Sequence, residues 1–250
     1  MNYIQQAYTG KLGMWKYLVV SFFYFGFMAL NFLAIYLLDI DIEKLIQDQI
    51  AEKGSNQFLI ENLVPVAIGL LGLFFWVKYV HNQSIISLTT SRKKVDWKRV
   101  FFAFSLWGGV TVLFVFIDYQ VSPEDYIVNF QLEPFLYLLL IAALLIPLQT
   151  SFEEYLFRGY LMQGLGVATK NRWFPLIVTS LIFGLLHIPN PEVAKLGYGI
   201  LVHYIGTGFF LGILTLMDEG LELAIGFHAA NNLITALLVT ANWTAFQTNS

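Results

Sequence analysis

The chain has 250 residues, of which 57% are hydrophobic and only 12% charged. An average soluble domain carries about 25% charged residues, and uncharged runs long enough to cross a bilayer recur, which argues against a soluble domain and for a helical membrane protein. A net charge of −3 gives no basis for nucleic-acid binding, and the lack of cysteine excludes disulfides, thiolate catalysis and cysteine-ligated zinc.

Residues 1–16 form a short, weakly basic leader. Residues 17–38 are uncharged and long enough to span; the run is too long and too aromatic for a signal peptide and lacks a small-residue cleavage site, so it is expected to stay as a helix. In the polar stretch 39–57, Ile42, Leu45, Ile46 and Ile50 recur at helical spacing and predict an amphipathic interfacial helix. A second span covers 58–80, with Glu61 near its start and Lys78 near its end. A basic loop follows, carrying Arg92, Lys93, Lys94, Lys98 and Arg99. His81, at its edge, is expected to be solvated. A third span, 100–117, leads to a loop at 118–133 that has acids but no lysine or arginine.

Pro134 suits the first turn of the fourth span. Pro147 is expected to kink or break that span. Thr150 with Glu153 and Ser151 with Glu154 both have capping-box spacing, so a helix restarting near residue 150 is expected. Residues 160–172 are expected to leave the membrane core. A fifth span runs from Trp173 to about residue 188 and is ended by Pro189 and Pro191. The sixth, 196–217, contains Gly208 and Gly212 at the spacing that lets helices approach closely, and His203, read as a helix-to-helix hydrogen-bond partner. A short acidic turn at 218–222 precedes a seventh span, 223–241. The expected fold is all-α, a polytopic transmembrane helix bundle of about seven spans, six to eight being compatible with the runs. N-terminal helices and the basic loop take residues 1–129, a core 130–241 and a tail 242–250.

With a cytoplasmic N-terminus, the inner segments hold 11 lysines and arginines and the outer ones 3, the asymmetry expected of that orientation. Glu153, Glu154 and His228 then lie toward the cytoplasmic side. His187 falls about 20 Å along the fifth helix at about 1.5 Å per residue, which leaves it deep unless that helix starts outside the hydrocarbon layer.

Charge inside or at the edge of a bilayer marks a functional site by default. Glu154 and Arg158 are four apart, acid first, the favourable order for an ion pair on one helix face. Glu153 points about 100° away, free to face a cavity as a general base on water. His228 and Asn232 share a face and both carry donors for a developing oxyanion. His187, four residues after Phe183 on the same face, is placed to orient the water or to assist Glu153. These groups, from three helices, are the types needed for water attack on an amide. Two glutamates and two histidines (Glu153, Glu154, His187, His228) are also a donor set that zinc uses, but a metal-independent glutamate mechanism with no cofactor is favoured.

Glu153-Glu154-x-x-x-Arg158, Phe183-x-x-x-His187 and His228-x-x-x-Asn232, in that order, resemble the signature of the CPBP family of membrane-embedded proteases, which includes the type II CAAX prenyl proteases and bacterial bacteriocin-processing or immunity proteins. The resemblance covers about residues 130–241 and departs at none of the signature positions; the N-terminal third resembles nothing particular. It implies that Glu153 activates water, Glu154 supports the site, His187 assists with the water, and His228 with Asn232 forms an oxyanion hole.

The resulting expectation is a multi-pass intramembrane endopeptidase acting on a lipidated or membrane-inserted peptide, by the family's habit in a bacterial plasma membrane, with membrane lipid as its surroundings. Two rivals share the residues. A proton-coupled transporter would use Glu153, Glu154 and His187 as a relay, and should show an internal repeat, which the sequence lacks. A non-catalytic immunity or binding protein would keep its activity when Glu153 becomes glutamine.

Overall fold

A computed structural model describes residues 1–248. Those residues form eleven α-helices and no strand, apart from one isolated bridge between Thr90 and Gly220. The long helices are α1 (Met14–Leu37), α3 (Ser55–Phe75), α5 (Trp97–Val121), α6 (Leu132–Glu154), α8 (Trp173–Leu185), α10 (Leu201–Asp218) and α11 (Glu222–Leu238). Shorter helices link them: α2 (Ile42–Lys53), α4 (Ile85–Thr89), α7 (Met162–Thr169) and α9 (Pro191–Leu196). With no water to satisfy backbone groups in hydrocarbon, a chain this apolar must close its hydrogen bonds within helices. The chain is an integral membrane protein built as a polytopic helical bundle.

The seven apolar runs all become helices, but among the described residues only five helical runs are long and apolar enough to cross a membrane. α8 has 13 residues and α11 has 17. A charge-free run marks where a helix is tolerated, not where its backbone turns: α8 stops at Leu185, before Pro189, and α11 stops at Leu238. The amphipathic segment is helical as expected, with Asp41 capping α2 by accepting a hydrogen bond from the Lys44 N–H at 3.0 Å.

Pro147 neither breaks nor restarts its helix. α6 runs through it, continues as π-helix over Tyr155–Leu161 and passes into α7, a single helical run of 38 residues from Leu132 to Thr169. One hydrogen bond lost at proline costs less in an apolar medium than opening a whole turn. Thr150 is therefore no cap; its hydroxyl donates back to the Ile146 carbonyl at 3.1 Å. Just past Glu154 the run is tightly packed, every residue from Tyr155 to Gly164 being buried, while residues 168–172 are exposed.

This run also brings His187 level with Glu153. Glu153 lies mid-run, about 24 Å before Thr169 at about 1.5 Å per residue, and α8 then returns over a similar length. The two residues thus meet at one level.

α11 packs along α5 and α6, α10 along α8, and α3 along α6. Small residues set the closest approaches. A Cβ on Gly226 of α11 would stand 2.1 Å from the Val100 carbonyl oxygen of α5, and one on Gly208 of α10 would stand 2.8 Å from the Ser180 carbonyl oxygen of α8. The expected packing role of Gly208 and Gly212 is met. α1 keeps Phe22, Phe23, Phe27 and Leu30 exposed for lipid.

Polar groups tie one end of the bundle. The basic loop docks on the acidic turn: Arg92 lies 3.2 Å from Asp218 and 3.4 Å from the fully buried Glu222, and Arg99 also pairs with Asp218. The leader is not loose, because Tyr3 is buried and its hydroxyl donates to the Leu88 carbonyl at 2.7 Å.

His81 is not solvated. It is buried, with Nε2 3.1 Å from the Tyr160 hydroxyl and its ring against Tyr17, because the π-turn Trp76–Val80 ending the second span swings it under the leader. Burial, and then the nearby Lys16 charge, push its pKa down from 6.5 to about 4. An unfolded chain takes up this proton below about pH 6.5, whereas the folded protein resists until about 4. Stability from neutral His81 is therefore complete above the unfolded value and lost as pH falls through this window. Melting of the detergent-solubilised protein is expected to drop by several degrees between neutral pH and pH 4.5, and His81→Asn is expected to flatten that dependence.

Candidate active site

Glu153 and Glu154 occupy adjacent positions at the end of α6, and the neighbouring π-helical turn begins directly after them. Such wide turns recur at functional sites because they re-aim side chains out of the regular helical ladder. Glu154 and Arg158 form the expected pair, Nη1 to Oε1 at 2.9 Å, and neither side chain reaches the surface. The guanidinium also donates through Nη2 to the Gly208 carbonyl at 3.3 Å, and lies 4.1 Å from the centre of the Phe183 ring. Phe183 thereby acquires a purpose beyond marking the position of His187: its π-face helps to hold the buried cation.

His228 stands between the glutamates. Its Nδ1 is 2.7 Å from Glu154 Oε1 and its Nε2 is 3.7 Å from Glu153 Oε2. Glu154, already paired with Arg158, acts as acceptor, so the imidazole N–H at Nδ1 points to it and Nε2 is left facing Glu153.

Glu153, His187, His228 and Asn232 line one cavity of about 580 Å3. Glu154 and Arg158 lie behind its wall, as the 100° offset between neighbouring carboxylates requires. His187 follows the end of α8, its Nδ1 2.8 Å from the Phe183 carbonyl and its ring stacked on Tyr204 at 4.1 Å. A carbonyl only accepts, so Nδ1 carries the hydrogen and, in the neutral ring, Nε2 offers a lone pair. His203, expected to join two helices, is instead exposed on the cavity wall.

Of the six sequence candidates, Glu153, Glu154, Arg158 and His228 form one directly connected group. Asn232 joins it through Gln149, whose carbonyl accepts from Asn232 Nδ2 at 3.4 Å and whose amide donates to Glu153 Oε1. His187 shares the cavity without such a link. Gln149 was missed, although it stands four residues before Glu153, the same spacing that paired Glu154 with Arg158. Tyr204 carried no signal, since nothing in the sequence sets the facing of α10 on α8. The wall also draws Tyr24 and Met28 from α1 and Phe246 from beyond α11.

Among the described residues no group of three or more His, Asp and Glu is placed to hold a metal ion. The Oε1 atom of Glu154 is engaged by Arg158 and His228 together, whereas zinc needs its ligands at about 2.0–2.2 Å around one centre.

The chain is similar in sequence to known proteins. A Bacillus subtilis (strain 168) protein named Uncharacterized protein YyaK is 27% identical over 248 residues, which is 96% of this chain and 83% of that one. No solved structure matches the chain. Residues 132–234 match the family described as type II CAAX prenyl endopeptidase Rce1-like. That segment contains the whole glutamate–arginine–histidine–asparagine constellation, so the similarity to the Rce1-like family falls on the residues that line and back this cavity.

Proposed function

We propose that the chain is an intramembrane endopeptidase that cleaves a lipidated or membrane-inserted peptide with water activated by Glu153, without a metal ion. The observation that carries this reading is the opening between Glu153 Oε2 and His228 Nε2, 3.7 Å across, on a cavity wall with Glu154 and Arg158 locked away behind it. Glu153 takes a proton from water as the oxygen attacks the scissile carbonyl carbon. The resulting oxyanion accepts hydrogen bonds from His228 Nε2 and Asn232 Nδ2. When the C–N bond breaks, Glu153 returns the proton to the leaving amine. His187 Nε2 accepts a hydrogen bond from the attacking water and helps to aim it. Positioned proton transfer contributes about 10²–10⁴ in rate and each oxyanion donor about 10²–10³.

The donor role of His228 has a charge requirement. Its Nδ1 already donates to Glu154, so Nε2 donates only when the ring is an imidazolium. Arg158 and this imidazolium then balance the two carboxylates, and the buried set is neutral overall, which its apolar surroundings favour.

The substrate class follows from access. The site sits mid-run in a membrane helix, and its cavity is walled largely by aromatic and aliphatic side chains, so a peptide already held in the bilayer reaches it more readily than a soluble one. The lysine and arginine asymmetry supports a cytoplasmic N-terminus and a site open to the cytoplasm, and the Bacillus relative supports a bacterial plasma membrane.

Comparative peptidomics of membranes from cells expressing the wild type or Glu153→Gln tests the reading. New peptides or N-termini are expected only with the wild type. Matching profiles with the native phenotype intact would instead establish a binding protein, and a lost phenotype with matching profiles a proton relay. His228→Gln, which donates but takes up no proton, is expected to keep more turnover than His228→Ala, whose kcat falls by about a hundredfold or more. Arg158→Met leaves a carboxylate buried without its strongest partner and is expected to cost about 3–5 kcal/mol in denaturant titrations. Combining it with Glu154→Gln is expected to recover much of that stability.

A further inference from the structure

Four side-chain amide and indole groups form an unbroken line into the site. Trp107 Nε1 on α5 lies 3.1 Å from Asn231 Oδ1, Asn231 Nδ2 lies 3.1 Å from Asn232 Oδ1, and Asn232 Nδ2 lies 3.4 Å from Gln149 Oε1. Gln149 Nε2 then donates to Glu153 Oε1. The two ends differ in kind. An indole N–H can only donate and an ionised carboxylate can only accept, whereas the amides between them can each be turned either way. The ends therefore fix the direction of every link.

We propose that Trp107 is a positioning residue, which sets the polarity of this amide line and so turns the Asn232 amide N–H, not its carbonyl, toward the reacting oxygen. With Asn231 Nδ2 occupying Asn232 Oδ1, one Asn232 N–H is spent on Gln149 and the other remains for the oxyanion. Reversed, the line would aim a carbonyl lone pair at the developing negative charge, and two acceptors would meet at Glu153. Trp107 lies outside the matched segment at 132–234, yet its ring packs at a tilt against Phe227, next to His228, with centroids 4.2 Å apart. α5 packs along α11, so the helix that braces the site also orients it. The inference rests on the protease reading for its consequence in turnover, but the line itself is independent of it.

Trp107→Phe keeps a ring against Phe227 and removes the donor. Asn231→Asp keeps the acceptor for Trp107 but confronts Asn232 Oδ1 with oxygen, forcing it to turn. A fluorogenic farnesylated peptide ending in a CAAX-type sequence, supplied to proteoliposomes, serves as the probe, with Glu153→Gln beside it. Trp107→Phe is expected to lower kcat about three- to tenfold, the range for one neutral hydrogen bond, with KM and melting temperature little changed. Asn231→Asp is expected to lower kcat further. In the NMR spectrum of protein carrying isotope-labelled tryptophan, the indole signal lost in Trp107→Phe is expected to move in Gln149→Met, three links away. An indole signal unmoved by Gln149→Met overturns the proposal, whatever the activity. Wild-type kcat in both Trp107→Phe and Asn231→Asp, with Glu153→Gln inactive, also overturns it and leaves the protease reading standing. If Glu153→Gln cleaves normally, or the wild type leaves the probe uncut, the protease reading is what suffers, and the indole signal alone decides whether the line exists.

Discussion

A carboxylate and a guanidinium with no surface exposure, 2.9 Å apart between Glu154 and Arg158, are the constraint around which the core is arranged. Desolvating either charge alone costs several kcal/mol, so each needs partners of the right sign and geometry. That demand recruits distant parts of the chain. The Gly208 carbonyl comes from α10, the Phe183 ring from α8 and His228 Nδ1 from α11. Holding these partners in place fixes three helices against the wide turn that follows α6. Glu153, one residue earlier, is thereby left on the other side of the wall, facing a cavity.

The arrangement divides labour between neighbouring residues of the same type. Glu154 Oε1 is held by Arg158 and His228 together; Glu153 meets only Gln149 and, at a distance, the edge of His228. A protein that has to keep a reactive carboxylate available within an apolar bundle needs such a partition. Otherwise the nearest cation would capture both acids. The 100° step of the helix supplies the separation at no structural cost. The π-helical turn and the glycines of α10 let the neighbouring helices come close enough to complete it.

Much of this was legible from spacing. The pair at Glu154 and Arg158, the freedom of Glu153, the approach at Gly208 and the helix over Ile42–Lys53 all follow from which residues share a helical face, a local property. The failures share a cause as well. Pro147, Thr150 and the capping-box spacings were read with the rules of water-exposed helix ends, where a broken turn is rehydrated. In hydrocarbon it is not, so α6 runs on. His81 was read from its neighbours in the chain, but its environment is made by Tyr17 and Tyr160, far from it in sequence.

The sequence by itself determined the helical membrane fold, the identity of the charged groups and their pairing along single helices, because apolar length and helical periodicity act within a segment. Only the tertiary structure decided that His228 stands between the two glutamates, that His187 comes level with Glu153, and that Trp107 reaches the site through a line of amides. Those relations depend on how far a helix runs past its proline, where it turns back, and which faces meet. They are set by packing between segments, where no periodicity in the chain records the partner.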